Sequence, residues 1–270
     1  MSALLSADVA AAFATARAAN RPAFIPFITG GYPTKACTVP ALLAMQENGA
    51  DILEVGIPFS DPIADGGTIQ AANQVALDNG VTLEDCIDFV AQARAQGLTV
   101  PVIFMGYFNP FLQFGEAELV QRCADVGVHG FIIPDLPPQE ARVFRGHCDK
   151  RDLCLVPLVS PTTTEARLAT IAQLAKGYVY CVSLNGVTGA RTELPTHLNE
   201  FLERVRKHVD CPLAVGFGLS TRTHVKAVGK LADGAIMGSA VIKALTSGGG
   251  DTAASVAAVG KFCYSVTHDA

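Results

Sequence analysis

Two kinds of feature in this chain could do chemistry: carboxylates set in or beside an apolar run, and glycine-rich turns. Glu54 lies within Ile52-Leu53-Glu54-Val55. An ionised carboxylate is costly to bury unpaired, so such a group finds a partner or holds its proton to unusually high pH. No Lys or Arg lies within the run to pair with it. At the open end of a sheet or barrel, Glu54 is a candidate general acid or base. The alternative is a structural Glu bonded to local backbone or facing an outer helix layer. The next loop, residues 58–67 (PFSDPIADGG), adds Asp61 and Asp65. Either could cap the following helix, and Gly66-Gly67 would let Asp65 move relative to a ligand.

The glycine-rich turns are Gly216-Phe217-Gly218-Leu219-Ser220-Thr221 and Gly238-Ser239-Ala240. Glycine lets the backbone approach a ligand closely, and the unpaired N–H groups that open a helix favour an anion. Two such turns after neighbouring strands point to a phosphate. Read singly, each is also an ordinary strand-to-helix turn with a Ser cap. A third segment, residues 184–191 (LNGVTGAR), combines two glycines, a hydroxyl and a cation and suits a lid. Tyr178 and Tyr180 precede it on alternate residues, so they share one side of a strand.

The elements that position these groups follow from repetition. Short, almost wholly apolar runs recur at residues 23–29, 51–57, 102–105, 130–134, 153–159, 178–183, 213–216 and 234–237. Continuous apolarity, without alternation, is the pattern of parallel strands covered on both faces. Helical periodicity occupies residues 40–48, 83–96, 116–125, 139–148, 164–175, 198–209 and 221–231. Eight strands alternating with helices predict an α/β fold, a (β/α)8 TIM barrel. We expect a single domain over residues 1–270, with the barrel core at about 20–245. A leading helix at 7–19 should plug the N-terminal end of the barrel. Residues 246–270 would be a last helix or, after Gly248-Gly249-Gly250, a tether. A doubly wound open sheet usually has fewer repeats and a G-x-G-x-x-G after its first strand, which this chain lacks.

Several classes are disfavoured. Half of the 270 residues are apolar and 17% are charged, which is a core-forming composition and not a disordered one. Net charge is −5 with no basic stripe, which argues against nucleic acid and an anionic membrane surface. The eight cysteines show no C-x-x-C pair and no zinc-finger spacing with His. They read as reduced thiols, so we expect a cytoplasmic location. No apolar run has the length of a membrane helix. No Lys ends a strand, which disfavours an imine mechanism. No His/Cys/carboxylate cluster has metal-ligand spacing, so no metal is expected.

The motifs resemble those of the tryptophan synthase alpha chain family. The long match is Asp51-Ile52-Leu53-Glu54-Val55-Gly56-Ile57-Pro58-Phe59-Ser60-Asp61-Pro62-Ile63-Ala64-Asp65-Gly66. It continues through Phe24-Ile25-Pro26-Phe27-Ile28-Thr29, Pro134-Asp135-Leu136-Pro137, Gly186-Val187-Thr188-Gly189, Gly216-Phe217-Gly218 and Gly238-Ser239, in family order over residues 20–245. The resemblance implies a retro-aldol lyase that cleaves indole-3-glycerol phosphate to indole and glyceraldehyde 3-phosphate. Glu54 would be the main acid–base residue, and Asp65 would stabilise charge on the ring nitrogen. Gly189, Gly218, Gly238 and Ser239 would hold the phosphate. Phe27, Tyr178, Phe217 and Ile236 would wall the indole, and Thr188 would meet Asp65 when the lid closes. It further implies no cofactor in this chain, pyridoxal phosphate belonging to a partner beta chain in an alpha2beta2-like assembly. Met105-Gly106-Tyr107-Phe108-Asn109-Pro110 and Asp135-Leu136-Pro137-Pro138 look similar to forms fused to a beta part, as in fungi. The chain departs from many relatives at Gly67, where they carry Pro, and at Leu184-Asn185. The alternative is a phosphate-binding regulatory or partner subunit with little activity alone.

Overall fold

The structure is a computed structural model that describes residues 5–182, 197–216 and 218–268. Its strands are β1 (Ala23–Thr29), β2 (Leu53–Gly56), β3 (Val102–Met105), β4 (Gly130–Ile132), β5 (Cys154–Val156), β6 (Leu158–Val159), β7 (Val179–Val182), β8 (Leu213–Gly216) and β9 (Gly234–Met237). They form one sheet in the order β5-β4-β3-β2-β1-β9-β8-β7-β6, and every pairing is parallel. The run expected as one strand at 153–159 is thus two segments. Pro157 parts them, because proline has no N–H to give to a ladder. Its carbonyl still accepts a bond from the Tyr180 N–H at 3.0 Å. Both edges of the sheet therefore fall on one stretch of chain, and the sheet curls into the expected (β/α)8 barrel.

The helices are α1 (Leu5–Ala18), α2 (Lys35–Glu47), α3 (Gly67–Asp78), α4 (Leu83–Ala95), α5 (Phe108–Phe114), α6 (Glu116–Val126), α7 (Arg142–Lys150), α8 (Glu165–Leu174), α9 (Leu198–Arg206), α10 (Arg222–Val228), α11 (Ser239–Thr246) and α12 (Thr252–Thr267). Local chemistry sets several ends. Thr82 and Asp85 form a reciprocal cap on α4, with bonds of 3.1 and 2.8 Å. The Asp251 carboxylate accepts from the Ala254 N–H at 2.7 Å and starts α12. Gly127, at φ 83°, closes α6 in the left-handed region. Two elements differ from expectation. α2 begins at Lys35 and carries Pro40 inside it, where a start was expected at residue 40. α5 was not foreseen at all.

Two packed regions result. Inside the barrel, Ile25, Ile52, Ile103, Ile132, Val156, Tyr178, Ala214 and Ile236 meet Val9, Phe13 and Ala16 of α1. α1 is thus the plug of the N-terminal end. The second region lies between the strands and the outer helices. Gly248-Gly249-Gly250 lead into α12, which packs on α2. Thr267 there donates its hydroxyl to the Asn48 carbonyl at 3.0 Å. Gly49 leaves room for Thr267, since a Cβ there would come within 2.9 Å of its hydroxyl. All eight cysteines are free thiols, seven of them buried. Among the described residues, no helix is long and apolar enough to cross a membrane.

Candidate active site

Glu54 stands in β2 with Phe27 of β1 as its register partner. Alternation puts Glu54 on the face of Ile52, which belongs to the barrel interior. It is fully buried. Tyr178 donates its hydroxyl to Glu54 Oε1 at 2.7 Å, and Oε2 has no partner among the described residues. Burial pushes the Glu54 carboxyl up to about 8, against the single bond from Tyr178. At neutral pH it therefore mostly keeps its proton. Tyr178, which the resemblance assigned to the apolar wall, lies fully buried, its ring 5.5 Å from that of Phe13 in the plug. The plug thus supports the phenol that holds the carboxylate.

Asp65 sits in the loop between β2 and α3, partly exposed. Tyr107 donates to its Oδ2 at 3.1 Å, and Gln70 Nε2 donates to its carbonyl at 2.9 Å. Burial pushes the Asp65 carboxyl up to about 6, opposed by the Tyr107 bond. Asp61 is exposed and takes the Ser60 hydroxyl at 2.5 Å. The structure thus separates the two loop carboxylates, turning one to Tyr107 and the other to solvent. Tyr107 was not anticipated as a site residue. The available signal was an aromatic directly after a strand, at the end where this fold keeps its chemistry.

The other described residues expected to wall the site and hold the phosphate come from β1 and from the ends of β8 and β9. Ile236 of β9 is buried among the interior residues. Phe27 packs its ring against Gly56, where a Cβ would come within 2.5 Å of Cζ. The Tyr180 phenol occupies the space that a Cβ on Gly216 would need. Gly218 takes φ 79°, and nothing lies within 4 Å of the direction a side chain would take. Gly238 caps α11, and Ser239 is its first residue, exposed at the mouth. The first N–H groups of α11 have no acceptor within the helix and point an array of partial positive charge outward. Thr188, Gly189 and Phe217 lie outside the described residues, as do residues 184–187. No group of three or more His, Cys, Asp or Glu suited to a metal occurs among the described residues.

A family model described as "Tryptophan synthase alpha chain" matches residues 13–268. The chain belongs to the tryptophan synthase alpha chain family. Membership makes it an enzyme of tryptophan biosynthesis and a carbon–carbon lyase, as the motif resemblance implied. It is 50% identical over 237 residues to the tryptophan synthase alpha chain of Roseiflexus castenholzii, covering 88% of this chain and 91% of that one. It is 49% identical over 239 residues to tryptophan synthase of Saccharomyces cerevisiae, covering 88% of this chain. This chain spans 34% of the length of that yeast relative. Among solved structures, Mycobacterium tuberculosis tryptophan synthase matches with TM-score 0.87 and 35% identity, over 97% of this chain and 98% of that one. The tryptophan synthase alpha subunit of Legionella pneumophila matches with TM-score 0.87 and 33% identity, over 96% and 97%.

Proposed function

We propose that Glu54 and Asp65 carry the alpha reaction of tryptophan biosynthesis, the cleavage of indole-3-glycerol phosphate to indole and glyceraldehyde 3-phosphate. Glu54, protonated near neutral pH, delivers its proton to the ring carbon that bears the glycerol chain. The ring then takes up the electrons of the breaking C–C bond. Glu54, now a carboxylate, accepts the proton of the glycerol hydroxyl as the aldehyde forms, so protons balance over the cycle. Asp65, ionised, steadies the positive charge that develops on the ring nitrogen. No imine and no metal is needed, because the protonated indole is itself the electron sink. Tyr178 holds Glu54 beside an apolar wall of Phe27 and Ile236, with Phe217 added by resemblance. Gly218, Gly238, Ser239 and the start of α11 bind the phosphate, joined by Gly189, and Thr188 meets Asp65.

The observation that carries this reading is the isolation of Glu54: fully buried and, among the described residues, held by one phenol with its second oxygen unpartnered. The test is indole release from indole-3-glycerol phosphate by wild type and Glu54→Gln. Near-normal turnover in the variant would sink the assignment.

The family works with a beta chain. We infer that this chain docks onto one, separate or fused, in an alpha2beta2-like assembly, that pyridoxal phosphate stays with the beta part, and that the location is cytoplasmic. We also take residues 1–270 as one barrel domain, with 246–270 as its last helix; the packing of α12 on α2 supports this. Assays with and without added beta chain separate a self-sufficient lyase from a subunit that needs its partner.

A further inference from the structure

Residues 61, 63 and 64 of the loop after β2 are exposed, and the glycines that follow, Gly66 and Gly67, have nothing within 4 Å of where a side chain would be. Such a segment has few contacts of its own to fix a carboxylate. Gln70 and Asn73 of α3 bond its backbone, at the Pro62 and Asp65 carbonyls and the Phe59 N–H, but the Asp65 carboxylate is held by one residue from the next strand-to-helix turn. Tyr107 follows β3, is 4% exposed and caps α5. Its ring stacks on Phe59, with centroids 5.2 Å apart. Its hydroxyl accepts the Ala64 N–H at 3.0 Å and donates to Asp65 Oδ2 at 3.1 Å. One side chain thus grips the loop near its start and at its functional end. The other Asp65 oxygen takes no bond from the described residues. The turn that carries Tyr107 is itself fixed, since the Phe108 N–H donates to Asp135 Oδ1 at 2.9 Å.

We infer that Tyr107 is a positioning residue for the reaction: its hydroxyl holds Asp65 at the barrel mouth with one carboxylate oxygen presented to the substrate ring nitrogen. The inference rests on the reading that Asp65 acts at that nitrogen. A phenol suits the task better than a cation would. It fixes the carboxylate by a hydrogen bond and leaves its full negative charge available to the developing positive charge on the ring. Among the described residues, the ionisable groups around this pair are Tyr180, which feels both Glu54 and Asp65, and Asp135, which acts on Tyr107. None of these is a cation, so the Tyr107 bond is what opposes the upward push of burial on Asp65.

The test is Tyr107→Phe, which keeps the ring on Phe59 and removes only the hydroxyl. It is measured beside Asp65→Asn and the double variant, following indole release from indole-3-glycerol phosphate across pH. Thermal melts monitor the fold. Loss of a hydrogen bond to a charged group should lower kcat roughly ten- to a hundredfold while KM changes little. Without the hydroxyl the Asp65 carboxyl titrates higher, so the acid limb of kcat/KM should move to higher pH. A merely structural Tyr107 would lower the melting temperature and leave that limb in place. Because Tyr107 acts through Asp65, the double variant should be no slower than Asp65→Asn alone. An unmoved acid limb with wild-type kcat in Tyr107→Phe, or losses that multiply in the double variant, overturns the inference while the reading of Asp65 stands. Wild-type turnover in Asp65→Asn overturns both.

Discussion

The two ends of this barrel treat carboxylates in opposite ways, and β2 shows both within three residues. Just before the strand, Asp51 takes two bonds from Arg21, at 2.5 and 2.8 Å, and a third from the Phe24 N–H at 2.8 Å. Within it, Glu54 takes one bond from the described residues, and that is from a phenol. Other N-terminal carboxylates follow Asp51. Asp152 is bonded by Lys176 and by the hydroxyl and N–H of Ser6, tying the start of α1 to β5. Asp233 is bonded by Arg17, Arg206 and the Leu213 N–H. The balance of forces differs accordingly. Burial pushes the Asp152 carboxyl up, but Lys176 and Ser6 outweigh it and hold the group below the ordinary carboxylate range. At Glu54 burial wins. The lesson concerns what surrounds a carboxylate. A cation and several donors make it a clip; a lone hydroxyl leaves it able to exchange protons near pH 7.

The strongest way to break this comparison is Glu54→Gln. Loss of the proton carrier should lower kcat about a thousandfold or more. The same variant should be more stable than wild type above about pH 5. The sign follows from linkage. The folded Glu54 titrates at about 8 and the unfolded group at its ordinary 4.5, so between those values the folded state binds more protons. Wild-type stability from this group is full below about 4.5 and drains away as pH rises towards 8. Gln does not titrate, so its advantage should widen across that window, reaching about 1–3 kcal/mol at pH 7. Urea melts at pH 5 and pH 7.5 check it. A variant that is inactive and also less stable at both pH values would make Glu54 a structural group like Asp51.

Next in size is the pH profile itself. On the proposed roles, activity needs Asp65 ionised and Glu54 protonated. kcat/KM should therefore rise as Asp65 loses its proton near 6 and fall as Glu54 loses its own near 8, with a maximum close to 7. Asp65→Asn should flatten the acid limb and leave the alkaline one. A profile without an alkaline limb would mean that Glu54 is not the acid.

Much of this contrast was legible in the residue order, and the parts that were not have identifiable causes. Glu54 stood out because a charge inside an apolar run has to be accounted for; that it faces the barrel interior and not the outer helices was left open by a run apolar on both faces, and the fold decided it. The barrel itself followed from repetition, with β1, β3, β8 and β9 bounded as expected. Tyr107 and α5 were missed together. Residues 108–114 (FNPFLQF) give too short a pattern to establish a helical period, and the carboxylate that accepts the first N–H of the helix belongs to Asp135, 27 residues away. The start of α2 was misplaced because Pro suits the first turn of a helix, and here the helix accommodates Pro40 within it. The break in the fifth barrel strand was written in Pro157, yet the apolar run passes through it without interruption. The clips at the N-terminal end were the least legible. Asp51, Asp152 and Asp233 look alike in sequence, and their partners come from distant elements that only the closed barrel brings to one rim.

The smallest effects test whether that rim is as separate from the chemistry as the comparison holds. Asp51→Asn replaces one carboxylate oxygen by an NH2 group, which must then face a donor from Arg21 or Phe24. The cost should be about 2 kcal/mol, some 4 °C in Tm for a chain of this size. Arg17→Ala should cost no more than about 0.5 kcal/mol, because Arg17 is 72% exposed and Asp233 keeps Arg206 and the Leu213 N–H. In both variants kcat/KM at pH 7 should match wild type wherever the protein is folded. The informative failure would be Asp51→Asn that melts as expected but also turns over slowly. Strand β2 would then transmit strain from its clip to Glu54, and the two ends would be one mechanical unit. Unchanged turnover in a measurably weakened barrel would instead mean that the interior packing and the α1 plug, through Tyr178, are sufficient to hold the acid in place.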